Sequence, residues 1–260
     1  MVRFINDLKK YKRYLAYAAR AQLKSEVSNS YLDWVWWILE PFFHMLIYTV
    51  IFGYVFNAAE KNFPVFIFIG VSIWGFFSKT VNQSVKLIKN HKSIVTKVYV
   101  PKQILLLCTM CVNGFKMFVS LLVVVAMMVI FKIKVDWHLI YIVPGLLLLV
   151  ILTYGICCFL LHYGVYVEDL QYIVEILLKM FMYFTGIFYS VPNRIPAPYG
   201  DILNSVNPIA YIISTLRNGM LYQSGASLTV MGVWYVAAAI LVFRGTRLIY
   251  QCENSYVKVI

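Results

Sequence analysis

Charge is scarce in this sequence, and acidic charge most of all. Asp and Glu number 11 against 23 Lys and Arg, and charged residues make up 13% of the 260 residues. A soluble domain is typically about a quarter charged, so this composition excludes an ordinary soluble protein. The chain is 62% hydrophobic with a mean hydropathy of +0.75, and it has several long apolar runs. These features predict an all-α membrane protein with no room for a soluble catalytic domain.

Motifs for enzymatic chemistry are also lacking. Gly70 and Gly75 have the spacing of a phosphate-binding loop, but Phe76 and Phe77 stand where that loop requires Lys and Ser/Thr. The four His residues are scattered, and there is no zinc-protease or nucleophile motif. We therefore expect no metal site and no cofactor bound by this chain.

Cysteine is rare, with five residues in the chain. The Cys108-x-x-Cys111 spacing matches a redox or metal pair, but it sits in an apolar run without a second pair. We interpret these residues as ordinary thiols buried in the membrane. Residues 1–30 are basic and amphipathic without an apolar core, so we expect no cleavable signal peptide.

Six membrane-spanning helices are predicted from the apolar runs, in a transmembrane domain over residues 31–260. Residues 1–30 precede it as an amphipathic helix in the membrane interface, although a plain topology signal would also explain their charge. Prolines break residues 191–225, which we interpret as re-entrant half-helices before the last span. The predicted spans are 31–56, 64–85, 103–131, 138–163, 172–190 and 226–250.

Positive charge alternates along the chain in step with these spans. Seven of the 23 Lys and Arg lie in residues 1–30, six in 79–102 and three after 243. Cytoplasmic segments carry this excess, so both termini are predicted to be cytoplasmic. The same placement argues against nucleic acid as a partner.

Ionisable residues interrupt the first span, which would reach about 39 Å as a helix. They are Asp33, Glu40 and His44, and Pro41 follows Glu40. Glu40 and His44 lie four residues apart and are predicted to pair, with a proton relay as the alternative. By the same spacing, Glu175 and Lys179 are predicted to pair in the fifth span.

Aromatic residues are abundant, with 18 Phe, 20 Tyr and 6 Trp. Interfacial belts and ordinary packing explain most of them. Two clusters stand out, one around Trp34 and Trp37 and one from Phe181 to Tyr189. Aromatic rings facing a pore would suit sugar transit, because the C–H faces of sugars stack on aromatic planes.

Four stretches carry motifs in a characteristic order. They are YLDWVWWILEPFFHMLIYTVIFGYVF at 31–56, IWGFFSKTVNQSVKLIKNHKSIVTKVYVPKQILLL at 73–107, VEDLQYIVEILLKMFMYFTGIFYSVPNRIP at 167–196 and LNSVNPIAYIISTLRNGML at 203–221. In this order they resemble the permease subunits of ABC-2 type polysaccharide exporters, which move teichoic acid, O-antigen and capsular glycans. Asp33 replaces a common Gly of that pattern, Glu168 replaces a basic residue, and Thr185-Gly186 replaces Ser-Pro.

The resemblance implies a multi-pass protein of the bacterial cytoplasmic (inner) membrane that exports a lipid-linked, undecaprenyl-type glycan. It also implies a homodimer of this chain bound to two copies of a separate ATP-binding subunit, which would hold ATP and Mg²⁺. Residues 89–99 would form the main coupling helix on that subunit, and residues 164–171 a second contact. The implied coupling residues are Lys89, Asn90, His91, Lys92, Lys97, Tyr99, Glu168 and Asp169.

A substrate path is the last expectation from the resemblance and from the aromatic clusters together. Arg217 is expected to contact a phosphate of the lipid headgroup or of the glycan. The candidate path residues are Trp34, Trp37, Glu40, His44, Trp74, Phe77, Phe184, Tyr189 and Arg217.

Other functions remain open at this point. An ABC-2 permease for a drug or a lipid would share most of these features. A secondary transporter or channel would be favoured by inverted repeats or by more intramembrane carboxylates, neither of which is seen. A membrane glycosyltransferase is weakened by the lack of clustered carboxylate or His residues.

Overall fold

A computed structural model describes residues 2–27, 33–55, 60–196 and 198–259, and within these ranges every regular element is helical. Turns of 3-10 helix at Asp33–Val35 and Trp137–Tyr141 precede α2 and α7. Turns of π-helix at Thr49–Val55 and Asn218–Tyr222 extend α2 and α11. The α-helices are α1 (Val2–Val27), α2 (Trp36–Tyr48), α3 (Phe63–Val85), α4 (Leu87–Asn90), α5 (Lys92–Val95), α6 (Lys102–Ile130), α7 (Ile142–Tyr166), α8 (Leu170–Phe184), α9 (Val191–Arg194), α10 (Tyr199–Val206), α11 (Pro208–Arg217) and α12 (Leu228–Val259).

Five helical stretches in the described ranges are long and apolar enough to cross a membrane. They are Trp36–Val55, Phe63–Val85, Lys102–Ile130, Trp137–Tyr166 and Leu228–Tyr256, and they overlap five of the six predicted spans. The predicted span 172–190 is different: its helix, α8, has 15 residues and would reach about 22 Å, short of a hydrocarbon core of about 30 Å. Tyr31, Leu32 and Phe56 of the predicted first span lie outside the described residues.

Helix α3 is the centre of the molecule. Its residues are apolar on almost every face, which is the pattern of a helix buried all round. Phe66, Ile67, Phe68 and Ile69 are fully buried. The helices α2, α6, α7, α8 and α11 all pack against it.

Helices α7 and α12 pack closely because small residues lie between them. A Cβ atom added to Gly155 would lie 2.8 Å from Leu241 Cβ, and one added to Gly245 would lie 2.6 Å from Cys158 Cβ. Small residues are common where membrane helices approach each other. At one end of the pair, His162 Nδ1 and the Tyr256 hydroxyl are hydrogen-bonded at 2.9 Å.

Short helices fill the stretch predicted to be re-entrant. Pro208 occupies the first turn of α11, where its missing N–H is not needed. Asn207 caps that helix: its side-chain oxygen accepts from Ile209 N and Ala210 N at 3.1 and 3.2 Å. The Asn207 amide also donates to Thr185 Oγ1 at 3.3 Å, which ties α11 to the turn after α8.

Helix α1 lies along the first half of α6. Leu15, Ala18 and Ala19 pack on Cys108 and Val112. The predicted amphipathic helix 1–30 therefore corresponds to a helix whose apolar side contacts protein, with Met1 and residues 28–30 outside the described ranges.

The segments predicted to be external lie at one end of the bundle, and those predicted to be cytoplasmic lie at the other. At one end, the Tyr222 hydroxyl donates to Glu60 at 2.9 Å, and the Gln223 amide donates to the Lys134 carbonyl at 2.9 Å. Those segments are the ones predicted to be external. The segments predicted to be cytoplasmic meet at the other end, where Lys89 and Glu168 form an ion pair at 3.4 Å.

Candidate functional site

A cleft of about 270 Å³ with several polar groups in its walls lies between α2, α3, α6 and α8. Aromatic, ionisable and amide side chains share its walls. We call it the inner cleft. Its lining includes Trp37, Glu40, Pro41, His44, Tyr48, Ser72, Trp74, Gly75, Ser78, Lys79, Asn113, Lys116, Met117, Ser120 and Met182.

Helical periodicity explains why these side chains meet. On α3, Ser72, Gly75 and Lys79 are spaced by three and four residues, so they share one face of the helix. On α6, Asn113, Lys116 and Ser120 repeat the same spacing. Asn113 donates hydrogen bonds to Thr80 Oγ1 at 3.1 Å and to Gln83 Oε1 at 2.8 Å, which fixes α6 level with the last turns of α3.

An ion pair joins α2 to α3 across this cleft. Lys79 Nζ donates to both carboxylate oxygens of Glu40, at 2.7 and 2.9 Å, with both side chains about half exposed. The predicted pairing of Glu40 with His44 is wrong, because His44 instead stacks on Tyr48 with ring centroids 5.9 Å apart. A cation on the neighbouring helix is the stronger partner for a carboxylate, and helical spacing alone could not reveal it.

A second ion pair joins α1 to α6, between Lys116 Nζ and Glu26. Lys116 is one-fifth exposed and lines the inner cleft, while Glu26 lies near the end of α1. Both lysines of the cleft are therefore held by carboxylates from the first two α-helices.

An apolar groove of about 620 Å³ lies beside the inner cleft, between α3, α7, α8 and the short helices α10 and α11. Trp74 lines both cavities. The groove walls are formed by Trp74, Phe77, Val81, Ile156, Leu160, Val174, Leu177, Leu178, Met180, Phe181, Phe184, Thr185, Leu203, Val206, Asn207, Pro208 and Ile209.

The structure brings six of the nine predicted path residues to these two cavities. Four of them line the inner cleft, and Phe77 and Phe184 line the apolar groove with Trp74. Trp34 lies apart, 59% exposed in the 3-10 turn before α2. The Tyr189 hydroxyl donates to the Tyr183 carbonyl at 2.9 Å, which joins the turn after α8 to the last turn of that helix.

Arg217 does not line either cavity. Its predicted contact with a substrate phosphate is wrong, because the side chain is buried inside the protein. The side chain is 3% exposed, and its guanidinium donates to the carbonyls of Phe66, Gly186 and Ile187 at 2.7–3.1 Å. The guanidinium carbon also lies 3.4 Å from the centre of the Phe66 ring. Arg217 thus binds α11 to α3 and to the turn after α8, with its hydrogen bonds made inside the protein.

Two further results concern residues that sequence reasoning treated differently. Glu175 accepts a hydrogen bond from the Gln171 amide at 3.1 Å, in place of the predicted contact with Lys179. Lys79, Asn113 and Lys116 of the inner cleft were not among the predicted path residues. The regular spacing of polar residues on α3 and α6 is the signal that could have found them. Asp33 lies at the start of the 3-10 turn, and its side chain is outside the described part.

The predicted coupling segments lie together at one end of the bundle. Lys89 on α4 contacts Glu168, which is 89% exposed in the turn before α8. The predicted single helix 89–99 is instead two one-turn helices, α4 and α5, separated at His91, whose Nδ1 lies 2.9 Å from the Leu87 carbonyl oxygen. Predicted residues exposed on this surface are Asn90, Lys92, Lys97, Tyr99, Glu168 and Asp169.

A network next to this surface joins three distant parts of the chain. Arg3 donates to Glu253 at 2.5 Å and to the Tyr99 hydroxyl at 2.8 Å, and Tyr99 donates to Glu253 at 3.2 Å. The hydrogen bond to Glu253 raises the pKa of Arg3 above its ordinary value, so Arg3 stays charged. The start of α1 and the end of α12 are thereby bound to the loop that contains Tyr99.

Arg3→Met is expected to loosen the start of α1 with little change in global stability. Arg3 is half exposed although Glu253 is largely buried, so we expect the pair to contribute about 1 kcal/mol and the midpoint of thermal unfolding to fall only slightly. Hydrogen exchange of the first turns of α1 should rise several-fold. Arg20→Met, an exposed change on the same helix, is the control, and equal exchange in the two variants would contradict the role of the network.

Metal ligands do not gather anywhere in the described ranges: no group of three or more His, Cys, Asp or Glu residues is close enough to hold an ion. Cys108 and Cys111 are free thiols, the first buried and the second exposed.

Comparison with known proteins identifies relatives with a shared type of function. The family model described as ABC-2 type transporter matches residues 17–221. The chain is 26% identical over 217 residues to the O-antigen export system permease protein RfbA of Myxococcus xanthus, covering 84% of each chain. It is 24% identical over 224 residues to the RfbA protein of Klebsiella pneumoniae, covering 81% of this chain and 86% of the relative. It is also 25% identical over 236 residues to the polysialic acid transport protein KpsM of Escherichia coli, covering 82% of this chain and 84% of the relative.

Proposed function

Because this chain belongs to the ABC-2 type transporter family, we propose that it is the permease subunit of an ATP-driven exporter of a lipid-linked polysaccharide. The names of its relatives, which refer to O-antigen export and polysialic acid transport, support a glycan as the cargo. The inner cleft is the observation that carries the proposal. Exposing a charged side chain to lipid inside a membrane costs free energy, so such groups usually line a path for a polar substrate.

Two copies of the chain form the path. Helices α2 and α8 are little covered by the rest of the chain, since only Met45 of α2 and only Val174 of α8 are buried. They nevertheless carry Glu40, His44 and Lys179 in exposed positions. A second copy facing these helices would enclose the charged groups in a wet channel and remove them from lipid.

The channel suits a sugar chain. The exposed faces of α2 and α8 are rich in aromatic rings, which offer flat apolar surfaces for sugar C–H groups while hydroxyl groups remain in water. The aromatic residues exposed on these two helices are Trp36, Phe43, Tyr172, Phe181, Tyr183 and Phe184.

The chain crosses the membrane six times, with both termini in the cytoplasm. The crossing that the five long helical stretches leave out is α8 together with the buried turn that follows it, Thr185–Phe188. The grouping of basic segments at the end that holds Lys89 supports this orientation in the cytoplasmic (inner) membrane.

A separate ATP-binding subunit supplies the energy and holds ATP and Mg²⁺. The surface around α4, α5 and the 167–169 turn is its docking site, since it exposes basic and acidic groups on segments that continue into α3 and α8. Movement of that subunit would reach the inner cleft through α3, which carries Lys79 and leads directly into α4.

Lys97→Glu is expected to weaken binding of the ATP-binding subunit at least several-fold. Lys97 is exposed beside α5, so reversing its charge alters the docking surface without disturbing a buried contact. The measurement is co-purification with candidate ATP-binding subunits, followed by ATPase activity in lipid nanodiscs.

Lys134→Glu is the matched control, because Lys134 is exposed at the opposite end of the bundle. It should leave co-purification and ATPase activity unchanged. A chain that folds and purifies alone but binds no ATP-binding subunit would contradict the proposal, as would equal effects of the two charge reversals.

A further inference from the structure

We propose that Lys79 and Lys116 bind the phosphate or pyrophosphate group of a lipid, and that Glu40 and Glu26 compete with this group for the same two lysines. The inference rests on the proposed export function and identifies the site on this chain that would recognise the charged part of the cargo. Both lysines line the inner cleft, on neighbouring helices.

The ion pairs of these lysines are of a kind that a ligand can replace. Each pair joins two different helices, α2 to α3 and α1 to α6, so either can separate without unfolding a helix. Ion pairs that solvent can reach contribute little net stability. A pyrophosphate that links a lipid to a sugar carries about two negative charges, one on each phosphoryl group, and several acceptor oxygens, so it is a stronger partner than one carboxylate.

A neighbouring amide supports recognition of more than a bare anion. Asn113 lines the same cleft and is 2% exposed, and its side-chain oxygen has no hydrogen-bond partner in the described residues. Its amide nitrogen is already used on Thr80 and Gln83. The oxygen can therefore accept from a hydroxyl group next to the phosphate, such as one on the first sugar.

The adjoining apolar groove indicates that the anion is carried by a lipid. Trp74 lines both the inner cleft and the groove, so a charged head between the lysines would place an attached hydrocarbon chain beside the groove. The groove has more than twice the volume of the cleft, and its walls are almost entirely apolar. A charged site joined to an apolar site matches a polyprenyl phosphate better than a free anion.

The test uses the purified chain in nanodiscs, without an ATP-binding subunit, and measures binding of farnesyl pyrophosphate. Lys79→Met and Lys116→Met are each expected to weaken binding at least tenfold, while Lys79→Arg retains it. Glu40→Gln is expected to strengthen binding several-fold, because it removes a competing anion. Inorganic pyrophosphate and farnesol should each bind much more weakly than farnesyl pyrophosphate.

Several outcomes would overturn the inference. Unchanged binding in both lysine variants would do so, provided that thermal unfolding shows the variants to be folded. Weaker binding in Glu40→Gln would show that the carboxylate supports the site, not that it competes. Equal binding of inorganic pyrophosphate would assign the site to a free anion. Since the assay needs no ATPase, its failure is distinct from failure of co-purification, which tests the proposed function.

Discussion

Arg217→Met is expected to lower the free energy of unfolding by about 2–5 kcal/mol, because it removes four hydrogen bonds inside the protein. Methionine fills a similar space, so the loss comes from the carbonyls of Phe66, Gly186 and Ile187 and not from a cavity. These carbonyls lie on α3 and on the turn after α8. We therefore expect the short helices α10 and α11 to separate from the bundle first.

The measurement is unfolding of the purified chain by titration with SDS in mixed micelles. Arg217→Lys should give an intermediate loss, since one ammonium group cannot reach all three carbonyls in the way a planar guanidinium does. Arg244→Met makes the same chemical change at an exposed position of α12 and should stay within about 0.5 kcal/mol of the parent chain. Equal stability of Arg217→Met and Arg244→Met would show that the buried network contributes nothing.

The class of fold follows from the sequence because hydrophobic length and the placement of basic residues are local properties. Four stretches of the described chain, Phe63–Val85, Lys102–Ile130, Trp137–Tyr166 and Leu228–Tyr256, match predicted spans closely. The length of α8 was harder to predict. The residues after Phe184 remain apolar, but they turn at Gly186, whose backbone φ is +69°. Hydrophobicity therefore predicts a longer helix than the one that forms, which ends at Phe184.

The contacts in the structure explain two of the departures from the family pattern. Glu168, in place of a basic residue, pairs with Lys89 on α4. Thr185 accepts the hydrogen bond of the helix cap Asn207, and a Cβ atom at Gly186 would lie 2.4 Å from Val191. Thr185 and Gly186 thus form the turn after α8, at the position where the family pattern has Ser-Pro.

The sequence predicted part of the candidate site. It did not predict the contacts that side chains make between different helices. Aromatic residues such as Trp37 and Trp74 could be chosen from composition and position. The partners of Glu40 and Lys116 could not, because they come from residues 39 and 90 positions away in the chain. The role of Arg217 was also mispredicted. Its charge suggested that it binds a ligand, but its guanidinium is buried and bonds to backbone carbonyls, so it supports the fold.

Gly164→Ala is expected to lower the free energy of unfolding by about 3 kcal/mol or more, since a Cβ atom there would lie 1.9 Å from the Val85 carbonyl oxygen. The atom in the way is backbone, so α7 and the end of α3 must move apart. Val85 leads directly into α4, and Gly164 lies four residues before Glu168. The same change should therefore separate the two parts of the docking surface and weaken co-purification of the ATP-binding subunit.

Gly232→Ala on α12 is the matched control, because nothing lies within 4 Å of the position its Cβ atom would take. Both changes replace a helical glycine and gain up to about 1 kcal/mol of helix propensity, so propensity alone would stabilise both variants. Opposite signs in the SDS titration would isolate the clash at Val85. If Gly164→Ala were as stable as Gly232→Ala, and bound the ATP-binding subunit equally well, then close contact between α3 and α7 would not be what holds the docking surface together.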